Sequence, residues 1–261
     1  MQDPGDKKAH NRRFEAGLIT AEPIFSDLQR LYRQMPETRC LCDRPGICCI
    51  CQPEMTVVEA LQWVAAIREM PAAGQVECLR GFVRFYLTHP VGAGGCPFSS
   101  DRTGCGVYDI RPFACRAYGL WQPGTGEERT RQNRERSRAV AAMWRKMGVA
   151  LPDAWNSGEP DYCRKVRIRN GPPVSDDRLL ALLREIYALG APLQSLQTDF
   201  ETSYHSDFSF LVTALLLGTK KALLAKMTVL QELTRQGTDA RLLKMLARIT
   251  AEKIAGSVFA A

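Results

Sequence analysis

The stretch Cys40-Leu-Cys-Asp-Arg-Pro-Gly-Ile-Cys-Cys-Ile-Cys51 decides how this part of the chain is expected to fold. It places five cysteines within twelve residues, and because it has no sustained apolar period, it predicts a loop. Metal bound by the thiols would supply the order that such a loop lacks. Three more cysteines, Cys96, Cys105 and Cys115, fall within a second span of twenty residues, and Cys163 follows later.

The composition is that of a folded domain. The chain has 261 residues, of which 45% are hydrophobic and 24% charged, so it can bury a substantial core. We expect a cysteine-cluster metal-binding domain over residues 1–170 and a helical C-terminal region over residues 174–261. The formal net charge of +7 favours an anionic partner such as RNA, or balances bound thiolates.

Targeting signals are not evident in the sequence. The segment from Met1 to Arg13 is polar and lacks the apolar core of a secretory signal. The apolar stretch from Phe208 to Leu217 is far shorter than the roughly twenty residues that span a bilayer. We therefore predict a cytoplasmic protein without a membrane span, in which ten cysteines are metal ligands or redox groups rather than disulfides.

Helical periodicity dominates outside the cysteine loops. Thr56-Val-Val-Glu59 is a capping box that predicts the start of a helix. Apolar residues at helical spacing predict further helices from Gln75 to Leu87, Arg129 to Met147, Asp176 to Leu189, Phe208 to Gln236 and Asp239 to Phe259. The predicted fold class is mainly α, with metal-clamped cysteine loops packed against helices and a helical C-terminal region.

Thiolates are soft ligands, and four of them suit tetrahedral zinc or the irons of a cluster. The candidate metal ligands are Cys42, Cys48, Cys49, Cys51, Cys96, Cys105, Cys115 and Cys163. Adjacent side chains point in different directions, so Cys48 and Cys49 either serve different metals or only one of them is a ligand. Cys163 is a late ligand or a free thiol, and Cys78 is interpreted as a buried thiol on a packed helix.

Basic residues accompany the cysteines. Arg111 and Arg116 bracket Cys115, where each can neutralise thiolate charge or donate hydrogen bonds to sulfur, so both are candidate cofactor-binding residues. The arginine-rich helix over residues 129–146 is either a contact surface for RNA or an acidic protein, or a solvated helix face. Glu135 interrupts the basic run and favours the solvated face.

Several of these cysteines also carry a resemblance to a known family. Cys48-Cys49, Cys96-Pro-Phe and Cys105-Gly-Val-Tyr-Asp-Ile-Arg-Pro-Phe-Ala-Cys115-Arg resemble the YkgJ-type cysteine-cluster family, which is described as chelating zinc or iron. The resemblance extends from Cys40 to Tyr118 and leaves the C-terminal helices unexplained. The family opens Cys-x-x-Cys-x-x-Cys-Cys, and this chain departs from that spacing. Which of Cys40, Cys42 and Cys51 fill the remaining family places is open.

The sequence and the resemblance together imply three functions. The first is a protein that binds an iron–sulfur cluster, expected as [4Fe–4S], or zinc, and acts in electron transfer or as an accessory factor. The second is a metal-dependent enzyme similar to flagellin lysine-N-methylases, whose cysteine pattern the family resembles. The third is a zinc-stabilised module that binds RNA or protein through its basic helix. The sequence alone leaves open whether the chain is an enzyme.

Overall fold

The structure is a computed structural model, and it describes residues 4–41, 47–50, 53–92, 95–100, 104–151, 162–171 and 173–260. It is mainly helical, as the sequence predicts. The α-helices are α1 (Pro4–Ala21), α2 (Phe25–Tyr32), α3 (Val57–Arg68), α4 (Ala72–Thr88), α5 (Phe113–Ala117), α6 (Pro123–Lys146), α7 (Asp176–Leu189), α8 (Gln194–Tyr204), α9 (Phe208–Leu217), α10 (Thr219–Gln236), α11 (Ala240–Ala247) and α12 (Ala251–Ala255).

The described residues contain two pairs of short antiparallel strands, and the first pair joins distant parts of the chain. Strand β1 (Glu37–Cys40) pairs antiparallel with β4 (Val166–Asn170), and Cys40 lies opposite Val166. Strands β2 (Ser99–Ser100) and β3 (Gly104–Cys105) form a second antiparallel pair, with Ser99 opposite Cys105. The second pair positions one predicted ligand, Cys105, close to the segment that carries Cys96.

The predicted capping box opens α3. The Thr56 side chain accepts a hydrogen bond from the backbone N–H of Glu59, and the Glu59 side chain accepts one from the backbone N–H of Thr56. Helix α7 also has the predicted bounds. The basic helix begins earlier than predicted, at Pro123, since the fixed φ of proline suits the first turn of a helix.

The predicted helical stretch from Phe208 to Gln236 is two helices. Gly218 separates α9 from α10 with φ of +90°, a backbone conformation that residues with a side chain rarely adopt. The chain bends by 111° between the two helices. Among the described residues, no single helix has the length and apolarity to cross a membrane. The bent pair α9 and α10 meets those criteria only when both helices are taken together.

Helix α9 lies at the centre of the core. Every residue from Phe208 to Leu216 is buried, as expected for a helix that is apolar on all sides. It packs against α1, α4 and α10. The same cluster of buried residues includes Phe14 of α1 and Phe259 near the C-terminus, so both predicted regions contribute to it.

Asn11 is a buried polar link between the ends of the chain. Its Nδ2 donates to the carbonyl oxygen of Leu215 at 3.0 Å, and its Oδ1 accepts from the backbone N–H of Val258 at 2.8 Å. Asn11 also donates to the carbonyl of Lys7 in its own helix. One amide therefore joins α1, the end of α9 and the segment after α12.

Replacing Asn11 with Leu should lower the free energy of unfolding by about 2 to 4 kcal/mol, because two buried backbone groups lose their partners. Urea denaturation measures this change. Thr20→Ala is the control, since the exposed Thr20 hydroxyl bonds only to Ala16 of its own helix, and it should change stability by no more than about 0.5 kcal/mol. Equal losses in both variants would contradict the proposed linking role.

Candidate metal centre

Helix α3 presents a buried carboxylate towards the cysteine segments. Glu59 is 3% exposed. Its Oε2 accepts hydrogen bonds from the backbone N–H of Thr56 at 2.7 Å and from the Thr56 hydroxyl at 3.0 Å. Its Oε1 accepts from the backbone N–H of Phe113 at 2.6 Å and from the hydroxyl of Tyr32. Burial and the neighbouring Glu59 carboxylate raise the pKa of Tyr32 well above its ordinary value, so Tyr32 remains a donor.

The contact with Phe113 fixes the start of α5. The first N–H groups of a helix have no partner within the helix, and the Glu59 carboxylate satisfies one of them. Cys115 lies two residues further along this helix. Glu59 therefore determines where the helix that carries Cys115 begins.

Trp63, one turn after Glu59, holds two more segments. Its indole N–H donates to the carbonyl oxygen of Ile110 at 3.1 Å. Its ring packs edge-on against Phe98, with the ring centroids 4.9 Å apart, and against Phe208 of α9 at 5.2 Å. The segments that follow Cys96 and Cys105 are thus attached to the same helix.

The Cys96 segment packs closely on its neighbours. The backbone N–H of Cys96 donates to the carbonyl oxygen of Cys49 at 2.7 Å, which joins the first cysteine stretch to the second. Pro97 lies directly on Gly81 of α4, where a Cβ atom at position 81 would stand 2.9 Å from the Pro97 Cβ. Glycine at position 81 therefore permits the observed position of Cys96.

Four of the predicted ligands lie close enough for the charge of one to affect the pKa of another: Cys49, Cys96, Cys105 and Cys115. Burial is the main cause that raises the pKa of three of these thiols, to about 12 for Cys96 and above the ordinary value for Cys105 and Cys115. The charges of the other cysteines in the group raise the same pKa values further. In the metal-free chain these three thiols are therefore protonated at neutral pH.

The other predicted ligands are placed differently or not described. Cys42 and Cys51 lie outside the described residues, and so does the side chain of Cys48. Cys163 lies beside the turn after α5, with its carbonyl oxygen 3.1 Å from the position a Cβ would take at Gly119. The seven cysteines whose side chains are described are thiols that form no disulfide with one another.

Cys78 lies on α4 and packs against the core, as expected for a buried thiol. Burial raises its pKa to about 12, and the nearby Cys96 contributes to this increase. Cys78 therefore lies near Cys96, where α4 borders the four-cysteine group. Its interpretation as a thiol that binds no metal stays a prediction.

The two arginines differ in what they contact. The Arg116 guanidinium donates to the backbone carbonyls of Arg111, at 2.7 Å, and of Asp109, and it stacks 4.2 Å from the ring centroid of Tyr32. Arg111 donates to the carbonyl of Tyr108 and stacks on its ring at 3.6 Å. The positive charge of Arg111 lowers the pKa of Cys105 and Cys115, against the larger effect of burial. Arg116 also lowers the pKa of Cys105, so both arginines can offset thiolate charge, and Arg116 in addition braces the 108–111 turn.

Arg129, Arg131 and Arg136 of α6 contact acidic or aromatic neighbours. Arg131 pairs with Glu128 and Glu135 at 2.6 Å each. Arg129 stacks on Trp121, with its guanidinium carbon 4.0 Å from the ring centroid. These contacts are typical of a solvated, salt-bridged helix face.

The chemistry of the four thiols fits a soft metal, but their positions do not form a coordination shell. Within the described ranges, no three His, Cys, Asp or Glu side chains are arranged to hold a metal ion. The metal-clamped character of the loops therefore stays a prediction. What the structure supplies is a set of protonated thiols on segments attached to α3.

The residues that organise this site were missed as functional candidates. The sequence identifies Glu59 only as half of a capping box and Tyr32 only as part of the apolar face of a helix, and it does not single out Trp63. Glu59 and Trp63, four residues apart on one helix face, are only a weak sequence signal of a functional site. It becomes specific only when Phe113 and Ile110 are known to lie opposite that face.

Comparisons with protein-family models, with curated proteins and with solved structures find no match to this chain. The resemblance to the YkgJ-type family thus stays a prediction based on the motif from Cys96 to Arg116.

Replacing Glu59 with Gln should lower the free energy of unfolding by about 2 to 4 kcal/mol. Gln keeps only one of the two oxygens, so its NH2 group faces the N–H of either Thr56 or Phe113, and that buried donor loses its acceptor. Urea denaturation of the metal-free protein measures the loss. Glu54→Gln removes the same charge from a side chain that is 82% exposed and should leave stability unchanged. If Glu59→Gln behaved like this control, Glu59 would not be the anchor of α5.

Replacing Gly81 with Ala should displace Pro97 and with it Cys96, because the new Cβ would stand 2.9 Å from the Pro97 Cβ. We expect a loss of stability of about 1 to 3 kcal/mol from overpacking. Gly74→Ala on the same helix is the matched control, since nothing lies within 4 Å of its Cβ position, and it should stabilise the helix by about 0.5 to 1 kcal/mol. Thermal unfolding of both variants distinguishes the two signs, and a stabilised Gly81→Ala protein would contradict the close packing.

Proposed function

We propose that this chain is a cytoplasmic metal-binding protein in which Cys49, Cys96, Cys105 and Cys115 supply thiolates to a [4Fe–4S] cluster or to zinc. The observation that supports this proposal is that Cys49, Cys96, Cys105 and Cys115, from two separate stretches of the sequence, lie close enough for their charges to affect one another's pKa, with the Cys96 N–H bonded to the Cys49 carbonyl at 2.7 Å. Four thiolates are the ligand set of both kinds of site. Cys42, Cys48 and Cys51 remain candidates for additional or alternative ligands.

Metal binding by this group must displace protons. Metals bind thiolates, whereas burial keeps Cys96, Cys105 and Cys115 protonated at neutral pH. The affinity for metal should therefore rise with pH, since fewer protons remain to be displaced. The Arg111 guanidinium opposes the effect of burial on Cys105 and Cys115, and it would offset part of the negative charge of a thiolate site.

A bound iron–sulfur cluster would supply one-electron transfer, and a bound zinc would supply structural order. The electron-transfer or accessory role rests on the resemblance to the cysteine-cluster family. The RNA-binding alternative rests on the basic residues of α6, of which Arg129 and Arg131 contact side chains of the same chain. The methylase-like alternative rests on the same resemblance, with no observation on the described residues that favours it.

Anaerobic purification with analysis of iron, sulfide and zinc tests the proposal on the full chain. A cluster gives iron and sulfide in equal amounts with a broad visible absorption band, whereas zinc gives a colourless protein. Cys105→Ser and Cys115→Ser should each lose most of the bound metal, because each removes a thiolate. Cys78→Ser should retain it, since Cys78 lies on α4 outside the four-cysteine group.

Two results would contradict the proposal. One is wild-type protein that remains free of iron and zinc after anaerobic reconstitution. The other is unchanged metal content in both Cys105→Ser and Cys115→Ser, which would place the metal elsewhere. Loss of metal in Cys78→Ser alone would instead show that α4 contributes a ligand.

A further inference from the structure

A polar cavity lies between α1 and α8. Its volume is about 130 Å³, and it is lined by His10, Arg13 and Phe14 of α1 and by Asp199, Ser203 and Tyr204 of α8. None of these residues belongs to the candidate metal centre. Pockets for drug-sized ligands have volumes of roughly 300 Å³ or more, so this cavity suits a much smaller molecule.

The packing of the two helices determines where this cavity lies. At Gly17 of α1 the helices are so close that an added Cβ atom would overlap the side chain of Leu196 on α8. Towards the start of α1 longer side chains meet, with Arg13 paired to Asp199 and His10 paired to Tyr204. The cavity is at this end, where long polar side chains rather than a glycine lie between the helices.

Tyr204 supplies a buried wall of the cavity and is only 2% exposed. Its ring packs edge-on against Phe14 of α1, with the ring centroids 5.8 Å apart, and against Phe210 of α9 at 5.6 Å. Its hydroxyl oxygen lies 3.1 Å from Nδ1 of His10, within hydrogen-bond distance. The packing of the ring therefore holds a hydroxyl group and an imidazole in fixed positions on the cavity wall.

Charges of both signs line the same cavity. Nη2 of Arg13 forms an ion pair with Oδ2 of Asp199, and the two side chains are 48% and 35% exposed. Within the described part of the chain, neither side chain forms a further ion pair or hydrogen bond. A guanidinium has several N–H donors and a carboxylate has a second oxygen, so each group can also bind a molecule that enters from solvent.

We infer that this cavity binds a small α-amino acid in its zwitterionic form. The carboxylate of the ligand would accept hydrogen bonds from the remaining N–H groups of Arg13 and from the Ser203 hydroxyl. Its ammonium group would donate to Oδ1 of Asp199. A ligand with one charge fits less well, because Asp199 repels an anion and Arg13 repels a cation. The small volume restricts the ligand to a short side chain, and the inference does not depend on the metal site.

Calorimetric titration of the full chain with L-alanine, at neutral pH and fixed ionic strength, tests the inference. We expect saturable binding. Acetate and methylammonium each carry only one of the two charges of the zwitterion. Each should bind at least about tenfold more weakly than L-alanine, because one charged hydrogen bond of the site is then not made.

Variants of the cavity residues test its position. Arg13→Gln and Asp199→Asn should each weaken the binding of L-alanine by about tenfold or more. Ser203→Leu keeps both charges but places a larger side chain in the cavity, so it should prevent binding.

Arg12→Gln is the matched control, because Arg12 is an exposed neighbour of Arg13 on α1 that does not line the cavity, and it should bind L-alanine as the wild type does. Urea denaturation shows that the variants fold. The inference is overturned if L-alanine does not bind saturably, or if acetate or methylammonium binds as tightly as L-alanine. It is also overturned if Arg12→Gln weakens binding as much as Arg13→Gln, or if Ser203→Leu binds as the wild type does.

Discussion

The candidate site depends on the burial of one carboxylate, that of Glu59. A carboxylate in a protein interior is costly unless hydrogen bonds replace the water it loses. Here the donors come from α2, the start of α3 and the start of α5, through Tyr32, Thr56 and Phe113. Because all three segments donate hydrogen bonds to one carboxylate, their positions relative to one another are restricted. Arg116, stacked on Tyr32, adds a positive charge next to this network.

The contacts of α3 and α4 bear on what orders the cysteine segments. The sequence predicts that bound metal supplies this order. In the described part, the segments around Cys96 and Cys105 already have protein contacts, through the indole of Trp63 and the packing of Pro97 on Gly81. A metal would therefore bind to segments that α3 and α4 have positioned, at thiols whose burial keeps them protonated. Metal binding and deprotonation are coupled at such a site.

Helix α9 connects the candidate metal centre with the two ends of the chain. It is apolar on all sides, so its burial draws α1, α4 and α10 around it. Its first residue contacts Trp63 of α3, the helix that organises the cysteine segments, and its last turn accepts a hydrogen bond from Asn11 of α1.

Sequence alone determined the features whose signals are local. The capping box at Thr56 and the periodicity of α7 predicted helices because hydrogen bonds and apolar spacing within one helix suffice to specify them. The spacing of the cysteines also named eight candidate ligands, and which of them bind metal stays a prediction. Only the tertiary structure decided that Glu59 fixes α5, that Gly218 divides a helical stretch, and that Asn11 joins the two ends of the chain, since each involves partners or a backbone angle that no local pattern encodes. Helix α1 was not predicted, because its buried residues are few and its core partners lie far along the chain.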